Sequence, residues 1–457
     1  MNDENFPRVL LVMPNAFNNV TGGGITFSHL FAGWPKDRLA TIHCDTEPTT
    51  GNVCEKYFVL GEREIRHSAP VSILRNLLGR EAIEGGPTGP SETFPLNREQ
   101  TRFRIVTGLG SILRKASIWA VGENPAQRVE LSDRLSAWID GFRPDLLYSN
   151  LGTTGMMQLV EKIRSKYQLI TIVHFMDDWM SSRHRRGIFN AKSRPEMEML
   201  VSKLVRDADT CLGISDAMCS AFKGRYGRSF EAFQNTIEVT RWSAYTKEDT
   251  ACGSPADILY IGSISPSAQL ESLVRCCQAV ATINERGLNA TLTISSPSGH
   301  ADLYRHRLVM HPAIQIIDTI HDDESFFRRI GKADLLLLPV NFDEESVRYI
   351  RYSMPTKVPA YLMSGTPILA HGPLETAQIA YAESEGWALI VAQPSVELLA
   401  SKLELVLSDT ALRANLSVRA REVAAQRHDS TIVRSRFREV LRLAAERAPR
   451  AHRMAHC

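Results

Sequence analysis

The stretch Asp257-Ile-Leu-Tyr-Ile261, followed by Leu270 to Glu285 and then Ala290-Thr-Leu-Thr-Ile294, reads as strand, helix, strand. Both strands are short, continuous apolar runs rather than alternating ones, the pattern of strands buried on both faces, and a helix between them supplies a parallel crossover. The rhythm continues through Ile314-Gln-Ile-Ile317, Asp334-Leu-Leu-Leu-Leu338, Pro367-Ile-Leu-Ala370 and Ala388-Leu-Ile-Val391, with another helix at Ser395 to Leu407. A doubly wound parallel sheet is therefore expected over residues 256–428.

Toward the N-terminus, Arg8-Val-Leu-Leu-Val-Met13 opens an earlier series, continued by Asp145-Leu-Leu-Tyr148, Leu169-Ile-Thr-Ile-Val173 and Thr210-Cys-Leu-Gly-Ile214. The polar segment Tyr245 to Pro255, with Gly253-Ser254-Pro255, separates the two series. The expected fold class is thus α/β: two tandem Rossmann-like, doubly wound domains, 1–245 and 256–428, facing a cleft. A tail, 429–457, contains an arginine-rich helix from about Ser430 to Arg447 that crosses back to the N-terminal domain. Open α/β sheets bind ligands at the carboxyl ends of their strands, so the cleft is the expected binding place. The glycine- and proline-rich segment from Gly79 to Pro95 is expected to be a mobile loop.

Length and composition agree with this reading. A chain of 457 residues holds two to four domains at roughly 100–200 residues each, and 44% hydrophobic with 23% charged residues excludes wholesale disorder and a polytopic membrane protein. With 53 Lys and Arg against 51 Asp and Glu there is no global charge for nucleic acid, which is not expected as a partner. The eight cysteines show no zinc-ligand spacing and are expected to be free thiols; no metal site is expected. The start Met1-Asn2-Asp3-Glu4-Asn5 lacks a signal peptide's positive region, and no apolar run is long enough to span a bilayer, so a cytoplasmic address is expected.

Three constellations carry chemistry. The first, Thr21-Gly22-Gly23-Gly24-Ile25-Thr26, follows the first strand; its glycines serve either a tight turn or the approach of a phosphate or sugar to a helix N-terminus. The spacing is not a dinucleotide fingerprint: Asp45, at the end of a plausible second strand, is the nearest acidic candidate, and a capping role explains it as well. In the second, Val173-His174-Phe175-Met176-Asp177-Asp178-Trp179, a histidine and two carboxylates stand at a strand's carboxyl end. They are either substrate contacts or a core histidine and an N-cap; the nearby Arg183, Arg185 and Arg186 are either a solvated face or an anion contact. The third runs from Arg348 and Arg351 through Ser353, Pro355, Thr356 and Lys357 to Tyr361 and Ser364-Gly365-Thr366-Pro367. Hydroxyls, helix-end amides and an ammonium together suit a diphosphate leaving group.

The order of these motifs, with Asn235-Thr236-Ile237-Glu238 and Trp242 and then Tyr260-Ile-Gly262 between them, resembles the GT-B-type glycosyltransferases of the group 1, family 4 kind over roughly residues 8–445. The resemblance implies a retaining, metal-independent, hexosyltransferase-like enzyme with no cofactor and a nucleoside-diphosphate sugar as co-substrate. Carried over by position, it implies that Gly22, Gly23 and Gly24 line the donor phosphate or acceptor side and that His174 touches the donor sugar. It also implies that Thr319 to His321 hold the base by main-chain contacts, while the third constellation itself places Ser353, Thr356 and Lys357 around the diphosphate. Asp177 is the candidate for acceptor or sugar hydroxyls, so the catalytic set is His174, Asp177 and Lys357. The chain departs from the family pattern at Ser263 and Gln269, where an Arg and a Lys are usual, and at Tyr352 and Ala360, where a glutamate pair is usual. Arg348, Arg351 and Lys357 are the available substitute cations, Arg348 and Arg351 being otherwise a solvated helix face, and Glu344 and Glu345 are the carboxylates that could reach sugar hydroxyls.

The expected function is transfer of a sugar to a glycan or lipid-linked acceptor in polysaccharide synthesis. The alternatives are a GT-B-like binding or assembly subunit without donor chemistry, and a sugar-nucleotide epimerase of the same fold. Arg98, Arg102, Arg104, Arg114 and Lys115, interspersed with Phe103, Leu109, Ile112 and Trp119, form either an ordinary surface helix or a peripheral contact with the inner face of a membrane.

Overall fold

The computed structural model describes residues 6–45, 47–66, 85–90, 128–185 and 190–447. Among these the chain divides into two compact units: residues up to Phe233 together with those from Arg434 form one, and Gln234–Val433 the other.

The strands of the first unit are β1 (Val9–Val12), β2 (Leu39–His43), β3 (Lys56–Val59), β4 (Ile65–Arg66) and β5 (Gly86–Thr88), then β6 (Arg128–Val129), β7 (Leu146–Ser149), β8 (Ile170–Phe175), β9 (Thr210–Gly213) and β10 (Glu231–Ala232). Eight make one sheet in the order β10-β9-β8-β7-β1-β2-β3-β5, and β4 pairs with β6 as a separate ribbon. The large sheet is parallel except where β5 runs antiparallel to β3. Of the segment Gly79 to Pro95, expected as a mobile loop, only residues 85–90 are described, and there Gly86–Thr88 form the strand β5; the rest lies outside the described residues. The outer edge of β3 offers unpaired backbone groups, which Gly86–Thr88 satisfy, and Arg134 anchors the segment by donating to the Gly85 carbonyl at 2.8 Å.

β1, β2, β7 and β8 are buried at every position, as strands covered by helices on both faces must be. The C-terminal helix Ser430–Glu446 completes this unit. Its Phe437 ring is fully buried, 5.0 Å from Phe31 and 5.3 Å from Phe233, and Arg434 and Arg438 donate to the carbonyls of His29 and Ala32 at 2.7 Å each.

The second unit is a six-stranded sheet: β11 (Ala256–Ile261), β12 (Ala290–Ser295), β13 (Ile314–Ile317), β14 (Leu335–Pro339), β15 (Ile368–His371) and β16 (Leu389–Val391), in the order β13-β12-β11-β14-β15-β16. Every pairing is parallel. The expected helix Leu270–Glu285 is present to the residue and packs with the helix Val396–Ser408 on one face, around Ile258, Leu273, Leu292 and Leu403. The opposite face buries Leu259, Ile330, Tyr361 and Trp387.

Residues 234–245, which composition assigns to the first domain, belong to the second unit. Trp242 stacks on Phe327 with centroids 3.9 Å apart and planes 12° from parallel, and the Lys247 ammonium reaches both Asp334 and the Ala333 carbonyl at 2.9 Å. A polar segment thus conceals a stacked aromatic anchor and a mostly buried ion pair, neither of which composition displays.

Candidate functional site

Each sheet reverses its winding once. In the second unit the reversal lies between β11 and β14, and in the first between β1 and β7. The carboxyl ends of strands at such a reversal leave a crevice for a ligand.

At β11 the chain departs through Gly262 at φ +144°, a conformation that only glycine adopts without strain, and a Cβ there would lie 3.2 Å from Lys357 Nζ. The Lys357 ammonium donates to the Ile261 carbonyl at 2.8 Å and lies 4.1 Å from the centre of the Tyr260 ring. One turn later in the chain, the buried Tyr361 hydroxyl accepts from the Ile261 N–H at 3.0 Å. Lys357 and Tyr361 therefore grip the same strand end from the short helix Val358–Met363 and its N-cap. Among the described residues no carboxylate pairs with the Lys357 ammonium, and burial without a counter-charge lowers its pKa to about 7.

Further along the same edge, Ser296 Oγ after β12 and Thr319 Oγ1 after β13 are buried and have no partner among the described residues. Buried hydroxyls left unpaired cost free energy that an incoming polar ligand recovers. The Thr319 loop is held by Asp318, whose carboxylate accepts from the amides of Thr319 at 2.7 Å and Ser298 at 3.3 Å. His321 is exposed beside it.

The other candidates of this unit are placed differently. Arg348 pairs with Glu344 on its own helix, Glu344–Ile350, and Arg351 with Glu375 at 2.7 Å. These side chains lie in surface ion pairs, not against the strand end that Lys357 occupies. The half-buried Ser353 donates its amide to Ile350 O, and the Thr356 carbonyl accepts from Asn235 Nδ2 at 2.6 Å.

In the first unit Gly22, Gly23 and Gly24 form the opening turn of the helix Gly22–Phe31, with Thr21 Oγ1 capping the Gly24 amide at 3.1 Å. The loop before it is built on Asn18, a residue that sequence reading missed. Asn18 Oδ1 accepts from the amides of Val20 and Thr21, and its Nδ2 donates to Ala16 O and to Asp45 at 3.2 Å. A Cβ on Gly24 would fall 2.4 Å from this buried side chain, whereas one on Gly23 would meet nothing closer than 3.6 Å. Gly24→Ala is therefore expected to cost about 1–3 kcal/mol in thermal unfolding, and Gly23→Ala to be nearly neutral.

His174 corrects an expectation. It lies inside β8, not after it, and is fully buried, with Phe27 and Tyr148 packed edge-on to its ring and Nδ1 2.6 Å from the Tyr148 hydroxyl. Burial pulls its pKa down to about 3, against a weaker upward pull from the Gly213 and Phe233 carbonyls, so the imidazole is neutral. It is a core group caged by Phe27 and Tyr148, and its Nε2 is buried without a partner among the described residues. The two carboxylates after β8 are also sorted. Asp178 is at the N-cap position of the helix Trp179–Ser182 without capping it; it is buried in a bidentate pair with Arg225 at 2.9 and 2.7 Å and accepts from Ser181 Oγ at 2.6 Å. Asp177 remains half-buried at the strand's carboxyl end.

No protein-family model matches the sequence, and no curated protein matches it. Solved structures do. A sucrose-phosphate synthase from Thermosynechococcus elongatus aligns with a TM-score of 0.61 at 13% identity, over 95% of this chain and 98% of that one. An α,α-trehalose-phosphate synthase from Burkholderia vietnamiensis aligns at 0.58 and 11% identity over 97% and 100%. The Anabaena protein HepE, in complex with UDP-glucose, aligns at 0.53 and 14% identity over 95% and 99%. The chain has the GT-B fold.

Along one edge the second unit presents a cation at β11 and two orphaned hydroxyls after β12 and β13. Adjacent strands lie about 4.8 Å apart, so β13 and β11 are roughly 10 Å apart. The basic and apolar residues from Arg98 to Trp119, and Arg186, lie outside the described residues. Among those described, no helix is long and apolar enough to cross a membrane.

Proposed function

We propose that this chain is a glycosyltransferase that moves a sugar from a nucleoside-diphosphate sugar to a glycan or lipid-linked acceptor with retention, in polysaccharide or glycoconjugate synthesis at the cytoplasmic face of a membrane. The observation that carries the reading is the Lys357 ammonium beside Gly262 at the winding reversal of the second sheet. As the bond from the anomeric carbon to the diphosphate oxygen breaks, negative charge gathers on that oxygen, and an ammonium there lowers the barrier without a metal. The acceptor hydroxyl adds to the same face of the sugar and passes its proton to the departing phosphate. Ser296 and Thr319 hold the nucleoside end, and Asp177 orients acceptor hydroxyls. His174 acts through the packing of β8, its ring held between Phe27 and Tyr148 with Nδ1 on the Tyr148 hydroxyl.

A second reading, a binding or assembly subunit, is favoured by one observation. The usual cation positions hold Ser263 and Gln269, while Arg348 and Arg351 are committed to Glu344 and Glu375. Thermal unfolding of the purified protein with UDP, GDP, ADP and TDP and their glucose conjugates decides between them. Stabilisation by one base series, about 2.7 kcal/mol at a hundredfold excess over Kd, is the expected result. A folded protein indifferent to every nucleotide is the result of the second reading.

A further inference from the structure

A cluster at the other end of the second unit's carboxyl edge is used by none of the steps above. His371 ends β15, is fully buried, and holds Nδ1 3.0 Å from the Val391 carbonyl. A carbonyl only accepts, so Nδ1 carries the hydrogen and Nε2 presents a lone pair. That Nε2 is buried and has no partner among the described residues. The Phe342 ring, just beyond β14, lies 5.0 Å from the imidazole, and the Arg275 guanidinium lies 5.7 Å from the centre of the Phe342 ring. Arg275 Nη1 is likewise buried without a partner, and Arg275 and Phe342 are both partly exposed. The neighbouring carboxylate on the same helix, Glu271, is held by Arg307 in a bidentate pair at 2.9 Å.

The three groups are an orphaned cationic donor, an orphaned neutral acceptor and an aromatic face. Burial keeps His371 neutral, with a pKa lowered to about 4, so the acceptor persists at physiological pH. A fully ionised phosphate offers no hydrogen to Nε2, and an apolar group leaves both orphans unsatisfied. Adjacent hydroxyls on a sugar ring satisfy both, one accepting from Arg275 and the other donating to His371, while a C–H face of the ring rests on Phe342.

We propose that Arg275, Phe342 and His371 form the subsite that reads two neighbouring hydroxyls of the transferred sugar. This rests on the donor-site reading of the same edge. In the sheet order, β15 lies two strands from β11 on the side opposite β12 and β13, about 10 Å away. Nucleoside, diphosphate and sugar would then follow one another along a single edge: Ser296 and Thr319, Lys357, and the Arg275–His371 pair.

The test is isothermal titration of wild type, Arg275→Gln, Phe342→Ala and His371→Asn with the nucleoside diphosphate that stabilises the protein and with its sugar conjugates. In the variants the Kd of the preferred sugar nucleotide, relative to that of the bare nucleotide, is expected to rise about tenfold, with the bare-nucleotide Kd unchanged. Should His371→Asn unfold, the two partly exposed positions carry the measurement. An unmoved ratio in folded variants overturns the subsite while leaving the donor site standing. A wild type that binds no nucleotide overturns both.

Discussion

A Lys357→Met variant is expected to melt at a higher temperature than wild type in the absence of ligand, yet to bind nucleoside diphosphate about 10- to 100-fold more weakly. The two halves have opposite signs because the same buried ammonium causes both. It lies against the Tyr260 ring and the Ile261 carbonyl with no carboxylate beside it among the described residues, so the folded state tolerates its charge poorly. Its folded pKa of about 7 is below the unfolded value of 10.5, so between those values the unfolded chain holds more protons and stability rises with pH. Methionine removes that penalty, and the gain in melting temperature is largest at about pH 7 and below. Binding runs the other way. A charge-assisted bond to phosphate contributes about 1.5–3 kcal/mol, which sets the expected loss. Wild-type affinity for a nucleoside-diphosphate sugar should fall as pH rises through about 7, because the ammonium is lost there. Lys357→Arg, always charged, should flatten that profile. Titration calorimetry across pH with calorimetric melting tests all three statements, and a variant that binds as wild type removes Lys357 from the donor site.

Arg225→Met is expected to lower the stability of the first unit by about 3 kcal/mol. Asp178 is 3% exposed, and the guanidinium that satisfies both its oxygens also packs on the Phe222 ring at 4.7 Å, so removing it strands a buried carboxylate. The figure is at the low end of the range for broken buried pairs because Arg225 is itself 36% exposed. Asp178→Asn together with Arg225→Met should cost less than Arg225→Met alone, and a double-mutant cycle from denaturant unfolding measures the difference. Nucleotide binding by the second unit should be unchanged throughout. Additive costs would show that the pair is not the anchor of this loop.

Much of the architecture was legible because parallel strands covered on both faces have to be apolar throughout. Ile314–Ile317 was read to the residue, and Ile170–Phe175 to within two residues. Short edge strands escaped that signal: Gly86–Thr88 has no apolar run and exists because β3 had an open edge. In the candidate site, Lys357 and the glycine turn stood out as residue types, since the proposed diphosphate would need a cation and close backbone. Their surroundings were not. Tyr361, four residues after Lys357, was in view as part of the motif, but its grip on Ile261 spans 100 residues of chain.

The sequence by itself determined the strand–helix alternation of the two sheets and the residue types offered to a ligand at their carboxyl edges, because hydrophobic period and glycine placement are local properties. Tertiary structure alone decided what each polar group does. His174 became a core residue, Asp178 an ion-pair partner and Arg348 and Arg351 surface charges, while Lys357 was set beside Gly262 without a counter-charge among the described residues. Burial and partner choice are set by contacts between residues far apart in the chain, and these two quantities govern whether a charge is free to meet a ligand.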